Sequence, residues 1–438
     1  MCTNFLIDLS SPKAKALSIP APLISSESFK NKVAKESLGV IEGRTLEFAL
    51  RLNTELMFRP KDYQFNQNTK DEDRETLLSK LPSMHADAFE HIKYQDNLNL
   101  TSWNGKYSFV GMAPIGTGLA SHGMNQHGLS IGDMTLNATE YQSHTDEDLV
   151  KCNTKIILYV NLVNYVLSNF KNCEEVCHAF TTKKDEYRII NPFYSDDEKE
   201  HPFPTAFLFH FPVHDSYGNS LVLEFIKGQV NVYDNTQVGV LTNDPQLPWQ
   251  IENLTCYIGV TPTNAMPFKG NQFVINNKSQ GTGYSSMPGS STPPDRFIRA
   301  ALMNNHIFKP KVNCAKALTT QDDSDKMSDE LTNMAYHLLN TVDIPNGTSR
   351  EHSDTISPEQ ENSDYTLWGV AANLTSRIYN VRMYHSLQVF SIDLRKLIEA
   401  NTEAFEQQLP QDIYTHSLTE EHIVNVQNES ADNIEKIA

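Results

Sequence analysis

The apolar positions change their period along the chain. "MCTNFLIDL" alternates loosely and predicts a strand that starts almost at the first residue. "LGVIEGRTLEFAL" repeats the pattern after a polar, Pro/Ser/Lys-rich stretch over 10–36, and a second polar, charged stretch covers 58–92. Short strand-like runs follow, "KYSFVGMAP" and "GMNQHGLSIGDMTL", set apart by Gly and Asn. From Asp148 to about Phe180 the period becomes helical, with Ile156, Ile157, Tyr159, Val160, Val163, Val166 and Leu167 on one broad apolar face. Strands return in "TAFLFHFPVHD", "SLVLEFIKGQVNVYD" and "TQVGVLTND", with "SYGN" as a turn. A loop rich in Gly, Ser and Pro spans 276–295, a length more often functional than accidental. "DRFIRAALMNN" then resumes as a helix after a Pro-Pro-Asp start. Beyond an exposed polar stretch at 348–364, "YTLWGVAANLTSRIYNVRMYHSLQVFSIDL" predicts two or three closing strands, before a polar tail over 411–438. Strands, a helical block, more strands and another helix predict a layered α+β fold rather than a parallel α/β one. The expected organisation is one domain over 2–410, with insertions at about 10–36 and 58–92.

Composition narrows the function classes. The chain has 438 residues, 39% of them hydrophobic, enough apolar material for a sizeable core. Its 36 basic and 54 acidic residues leave a formal charge of -18, which argues against a nucleic-acid partner. Six scattered cysteines form no CxxC pair, so neither a zinc ribbon nor a disulfide framework is predicted. Cys173 and Cys177 share one helical face beside His178; buried thiols are the stronger reading there, a metal or thiol site the weaker. No apolar run is long enough to span a membrane, and the basic-then-apolar pattern of a secretory signal is missing. The cytoplasm is the expected compartment, with signal-independent secretion left open.

Several catalytic templates fall away: the chain has no GxSxG, no HExxH and no GxxxxGK[ST]. "GTGYSS" lacks the Lys of a phosphate cradle and reads as a turn. The histidines of "HFPVH" have no acidic partner at ligand spacing. No cofactor and no metal is called for.

Cys2 is a different matter. Removal of Met1, which a residue as small as Cys permits, would leave a thiol nucleophile and a free α-amine on one residue. That amine, with an ordinary pKa of about 7.7–8.0, can take the thiol proton near neutrality and return it to a leaving amine. The scheme needs a cation to favour thiolate, a carboxylate to orient the amine, and fixed donors for an oxyanion. "GRTLEF" offers Arg44 and Glu47, three residues apart. On a strand they point to opposite faces, so a bend is expected if both reach Cys2. "LTNDPQLPWQ" offers Asn243 after a strand, and "PPDRF" offers Arg296 where a loop becomes a helix. Taken singly, each has a plainer reading: a surface ion pair, a turn-capping Asn, a surface Arg.

Taken together, the fragments carry a resemblance. "MCT", "GRTLEF", "WNGKYSFVGM", "GMNQHGLSI", "VLTNDPQLPWQ", "MPGSSTPPDRFIRAA" and "YTLWGVAANLTSRIYNVRMY" occur in the order expected of the choloylglycine hydrolase and penicillin V acylase family, from Cys2 to about Leu394. The family consists of N-terminal-nucleophile hydrolases of linear amides. The resemblance implies a four-layer αββα sandwich of two antiparallel sheets with helices outside. It implies Cys2 as the nucleophile, Arg44 beside the thiol, Asn243 at the oxyanion and Arg296 as a second arginine. Glu47 falls where the family commonly has Asp near the amine. The remaining oxyanion position, often Asn or Tyr, falls on Thr135, where a backbone N–H can donate. Ser290 stands where Asp is frequent and reads as structural. The implied substrates are amides with an apolar acyl part and a small polar amine part, such as conjugated bile salts, penicillin V or acyl-homoserine lactones. Specificity is expected around Tyr107, Met134, Thr135 and the insertions. A homotetramer is implied as well. The rival expectation is a binding protein of the same fold without turnover.

Overall fold

The computed structural model describes residues 1–9, 15–29, 39–49, 54–67, 92–94, 98–114, 116–142, 154–191, 193–195, 208–309, 321–350, 363–386 and 388–410. Much of both expected insertions (10–14, 30–36 and 68–91), the start of the expected helical block and the tail over 411–438 lie outside these residues.

Among the described residues, fifteen strands form the two main sheets. In chain order they are β1 (Cys2–Asp8), β2 (Val40–Phe48), β3 (Thr54–Arg59), β4 (Phe109–Pro114), β5 (His122–Asn125), β6 (Ser130–Gly132), β7 (Met134–Thr135) and β8 (Phe209–His214). There follow β9 (Ser220–Ile226), β10 (Gln229–Asp234), β11 (Val240–Leu241), β12 (Tyr365–Asn373), β13 (Ile378–Met383), β14 (Val389–Asp393) and β15 (Phe405–Gln408). The six-stranded sheet runs β11-β1-β2-β12-β13-β14, and the nine-stranded sheet β10-β9-β8-β6-β5-β4-β3-β15, with β7 added beside β8. Neighbours in both pair antiparallel.

Helices cover the outer faces. Against the nine-stranded sheet lie α1 (Leu162–Asn169) and α2 (Cys173–Phe180). Another short helix, α3 (Leu247–Leu254), precedes α4 (Pro293–His306), which packs on β1 and β11, while α5 (Gln321–Leu339) packs on β2 and β12. The expected αββα sandwich is therefore the fold observed. Every residue of β12 is buried, which explains why its sequence reads as a nearly unbroken apolar run: helices cover one face and the second sheet the other. Gly43 of β2 lies opposite Phe5 of β1 and leaves room for its ring, since a Cβ there would lie 2.2 Å from it.

Two local readings change. Lys155–Leu158, expected to be helical, is a strand paired in parallel with Tyr187–Ile190, and the helices begin only at Leu162. Two adjacent β-branched isoleucines with a partner strand available prevail over the helical spacing. The helix α5 went unread because polar residues dominate its first half, yet Leu331, Ala335, Leu338 and Leu339 make its buried stripe.

Between the two sheets lies a buried polar layer. Asn4 and His122 both hydrogen-bond or pair with Glu42, His214 contacts Asn4, and His122 Nδ1 lies 2.8 Å from the Tyr379 hydroxyl. His210, the other histidine of "HFPVH", pairs with Glu224 and with the Thr242 carbonyl. Their acidic partners come from other strands, out of reach of any reading by spacing. Burial pushes the Glu42 carboxyl up, but His122, His214 and Ser130 outweigh it and hold it at about 2.

Candidate active site

Strand pairing assembles the site. Cys2 opens β1, between β2 and β11, with Cys2 opposite Leu46 and Asn4 opposite both Arg44 and Leu241. Because β11 runs antiparallel to β1, the residues that follow Leu241 reach the start of β1. Asn243 arrives there, and the Cys2 N–H donates to its Oδ1 at 2.6 Å. The same Oδ1 accepts from Arg296 Nη2 at 2.9 Å, and Asn243 Nδ2 donates to the Thr135 carbonyl at 3.0 Å. Donors on one end and an acceptor on the other set the orientation of this amide.

Two arginines flank Cys2 from opposite sides of the sheet. Arg44 projects from β2 toward the facing sheet. Its Nη2 lies 3.9 Å from Cys2 Sγ and 3.3 Å from Asp133 Oδ1, and it also donates to the Asp133 carbonyl. Gly132 makes room for it: a Cβ there would lie 1.6 Å from Nη1. Arg296 comes from the helix side, placed in the first turn of α4 by a start with Pro at its first positions and Asp295 close behind. It donates to the carbonyls of Cys2 and Ser291 and to Thr3 Oγ1, the last at 2.6 Å. Glu47 is on this side too: Oε2 is 3.9 Å from Arg296 Nη1, and Oε1 accepts from Thr366 at 3.0 Å.

The six candidate catalytic residues, Cys2, Arg44, Glu47, Thr135, Asn243 and Arg296, thus fall into one cluster. A register shift interrupts the β2–β12 pairing between Arg44 and Glu47, where a bend was expected. Arg44 and Glu47 keep opposite faces, as their spacing dictates, and the register shift at Leu46/Glu47 leaves the extra residue, Leu367, on β12. Both reach Cys2 because it lies at a strand end, open to partners from above and below the sheet.

Met1 is held beside Glu47 and Asp364. Its ammonium donates to the Glu47 carbonyl at 2.6 Å and lies 3.8 Å from Asp364, and its carbonyl accepts from the Glu47 N–H at 2.8 Å. With Met1 in place, Cys2 is 5% exposed. Burial raises the thiol pKa above its ordinary value, against the lowering by Arg44 and the Met1 ammonium. Burial also raises Glu47, opposed by Arg296, the Met1 ammonium, Thr45 and Thr366.

Tyr107 stacks edge-on to His127 under Lys171. Met134 is fully buried in the core. Ser290 organises its own loop, bonded to Asp295 and Thr292 just ahead of α4. Cys173 and Cys177 are buried in the core beneath α2, where burial raises both thiols, and His178 turns instead to Ser26.

Asp133 was missed. It lies inside the quoted run "GMNQHGLSIGDMTL", but its contact with Arg44 crosses from one sheet to the other, which no spacing along the chain reveals. A carboxylate after two small or apolar residues was its one local signal. Burial pushes its carboxyl up to about 7, against the lowering by Arg44.

The model of one family, linear amide C–N hydrolases of the choloylglycine hydrolase family, matches residues 32–403. The chain belongs to the choloylglycine hydrolase family. A bile salt hydrolase/transferase of Clostridium perfringens is 32% identical over 310 residues, 70% of this chain and 82% of that protein. A penicillin V acylase of Pectobacterium atrosepticum is 24% identical over 299 residues, 67% of this chain and 68% of that protein. Among solved structures, a conjugated bile acid hydrolase variant from Clostridium perfringens superposes with a TM-score of 0.64 at 21% identity, covering 96% of this chain and all of that one. As a choloylglycine hydrolase family member, the chain is a linear amide C–N hydrolase of the bile salt hydrolase and penicillin V acylase type. No helix among the described residues is long and apolar enough to cross a membrane.

Proposed function

We propose that the chain hydrolyses small N-acyl amides, with an apolar acyl part, through an acyl-thioester on Cys2. The observation that carries this reading is the double anchoring of Cys2: its nitrogen on Asn243 at 2.6 Å, its sulfur 3.9 Å from Arg44.

Excision of Met1 turns the Cys2 nitrogen into a free α-amine. That amine takes the thiol proton, and Sγ attacks the amide carbonyl. The oxyanion accepts from the second hydrogen of Asn243 Nδ2, whose first is held by the Thr135 carbonyl, and from the Thr135 N–H. The tetrahedral adduct expels the amine, which receives its proton from the α-ammonium. Water then gives a proton to the α-amine and attacks the thioester; the acid departs and the sulfur regains its proton. A buried, raised thiol suits this scheme, in which deprotonation accompanies attack. Arg44 stabilises the sulfur as charge develops, while Arg296 and Glu47 hold the main chain and the amine in place.

Conjugated bile salts, penicillin V and acyl-homoserine lactones are members of this substrate class. We place the enzyme in the cytoplasm, where the free thiols of Cys2, Cys173, Cys177 and Cys256 are stable. We also propose a homo-oligomer built from one domain; the exposed Met266, Phe268, Phe273, Val274 and Ile275 offer apolar surface for it.

The test is release of acid and amine from a panel of acyl amides by wild type and by Cys2→Ala. Loss of at least about a thousandfold in Cys2→Ala, with an unchanged melting temperature, is expected. Full activity in Cys2→Ala removes Cys2 as the nucleophile. Release by neither protein favours a binding role for the fold.

A further inference from the structure

Both cations of the site are inaccessible. Arg44 and Arg296 are 0% exposed. Arg296 spends its donors on Ser291, Cys2, Thr3 and Asn243. Arg44 turns Nη1 onto Gly132 and gives Nη2 to Asp133 and the thiol. Among the described residues, the accessible charged atoms beside the nucleophile are carboxylate oxygens. The Asp133 side chain is 16% exposed, and one guanidinium nitrogen separates it from Sγ. Asp364 is 30% exposed and lies 3.8 Å from the Met1 nitrogen.

A second observation points to the ligand. Met1 is joined to the very nitrogen that passes its proton to the leaving amine in the reading above. Its excision opens space next to that nitrogen, on the amine side of a bound amide. In that space a cation is seen: the Met1 ammonium, held by the Glu47 carbonyl and facing Asp364.

We propose that the site selects its substrate by charge on the amine side, with Asp133 and Asp364 favouring N-acyl amides of neutral or cationic amines over those of anionic ones. This rests on Cys2 as the nucleophile. Within that reading it ranks amides of amino alcohols, diamines and amino lactones ahead of amides of amino acids or aminosulfonic acids. An anionic amine part meets like charge at short range and finds neither guanidinium free to pair with it. A cationic amine part replaces the ammonium that Met1 withdraws.

The test separates the field at the sulfur from turnover. Processed enzyme carrying Cys256→Ser, which removes an exposed competing thiol, is treated at pH 8 with methanethiosulfonates bearing a trimethylammonium, a methyl or a sulfonate group. At that pH Asp133, raised to about 7 by burial against the pull of Arg44, is ionised. Modification is read on the Cys2 peptide by mass spectrometry, with the methyl reagent as the reference for access. The cationic reagent is expected to react about tenfold faster than the anionic one, with a ratio that falls as salt is added. Asp133→Asn shrinks the ratio several-fold, and Asp133→Glu restores most of it. In parallel, kcat/KM is compared for one acyl group joined to ethanolamine, 1,4-diaminobutane or glycine, and the glycine amide is expected to be slowest by about tenfold. An anionic reagent as fast as the cationic one, or a ratio indifferent to Asp133→Asn, overturns the proposal. If the ratio stands while Cys2→Ala still releases amine, the nucleophile assignment has failed and the charge bias has not.

Discussion

Two arginines flank Cys2, both without solvent exposure, and the sheet between them divides their work. Arg296, on the helix side, is held by four oxygen acceptors and faces a buried carboxylate, Glu47. It grips the main chain of Cys2 and fixes the amide of Asn243. Arg44, on the side of the facing sheet, lies over the Trp368 ring and donates to the sulfur and Asp133, while its Nε and Nη1 have no hydrogen-bond partner among the described residues. One arginine holds the nucleophile in place, and the other supplies a field. The difference follows from strand geometry: a residue at a strand end exposes its backbone edge to one set of partners and its side chain to another.

Removing each arginine in turn is the sharpest way to break that comparison. Arg296→Ala leaves Glu47 buried without its cation and is expected to cost about 3–5 kcal/mol of stability, visible in thermal melts. Arg44→Ala leaves a carboxylate that has some solvent contact and already titrates near 7, so its cost in stability is expected to be smaller, about 1–2 kcal/mol. Its signature lies in chemistry instead: the pH midpoint for alkylation of Cys2 rises, because the cation that lowers the thiol pKa has gone. Equal losses of stability in the two variants, with no shift in that midpoint for Arg44→Ala, would dissolve the distinction.

A further effect separates the faces by pH. The layer beneath Arg44 contains His214, whose imidazole burial and the nearby His122 hold down at about 4 against the raising by Glu42. As pH falls below about 6.5, the unfolded chain takes up a proton there before the folded one does. Stability is therefore lost between about pH 6.5 and 4, by of order 3 kcal/mol, and nothing from this group changes above that window. Melts of wild type and His214→Gln across pH 4–8 read this directly, with a shallower fall in the variant. Parallel curves would remove His214 from the acid response.

Much of this site was legible before the fold. Cys2, Arg44, Asn243 and Arg296 each sit in a short run whose order along the chain matches the family, and β pairing brings all four together. The helical start at "PPD" and the closing strands also follow from local signals, proline at the first turn and apolar runs between turns. Other features depend on contacts that no local pattern encodes. Asp133 meets Arg44 only because two sheets stack. Tyr107, expected to bear on specificity, meets His127 edge-on across a sequence separation that no local pattern encodes. Lys155–Leu158 became a strand because Tyr187–Ile190 lies beside it.

The central claim is that Cys2, freed of Met1, carries the acyl group during turnover. Intact-mass spectrometry of active enzyme, quenched in acid during reaction with an acyl amide, tests it most directly. The account predicts a resting mass lacking methionine and a transient added mass equal to the acyl group, mapped to the N-terminal peptide and absent in Cys2→Ala. Active enzyme that retains Met1, or an acyl adduct on any other residue, would contradict it.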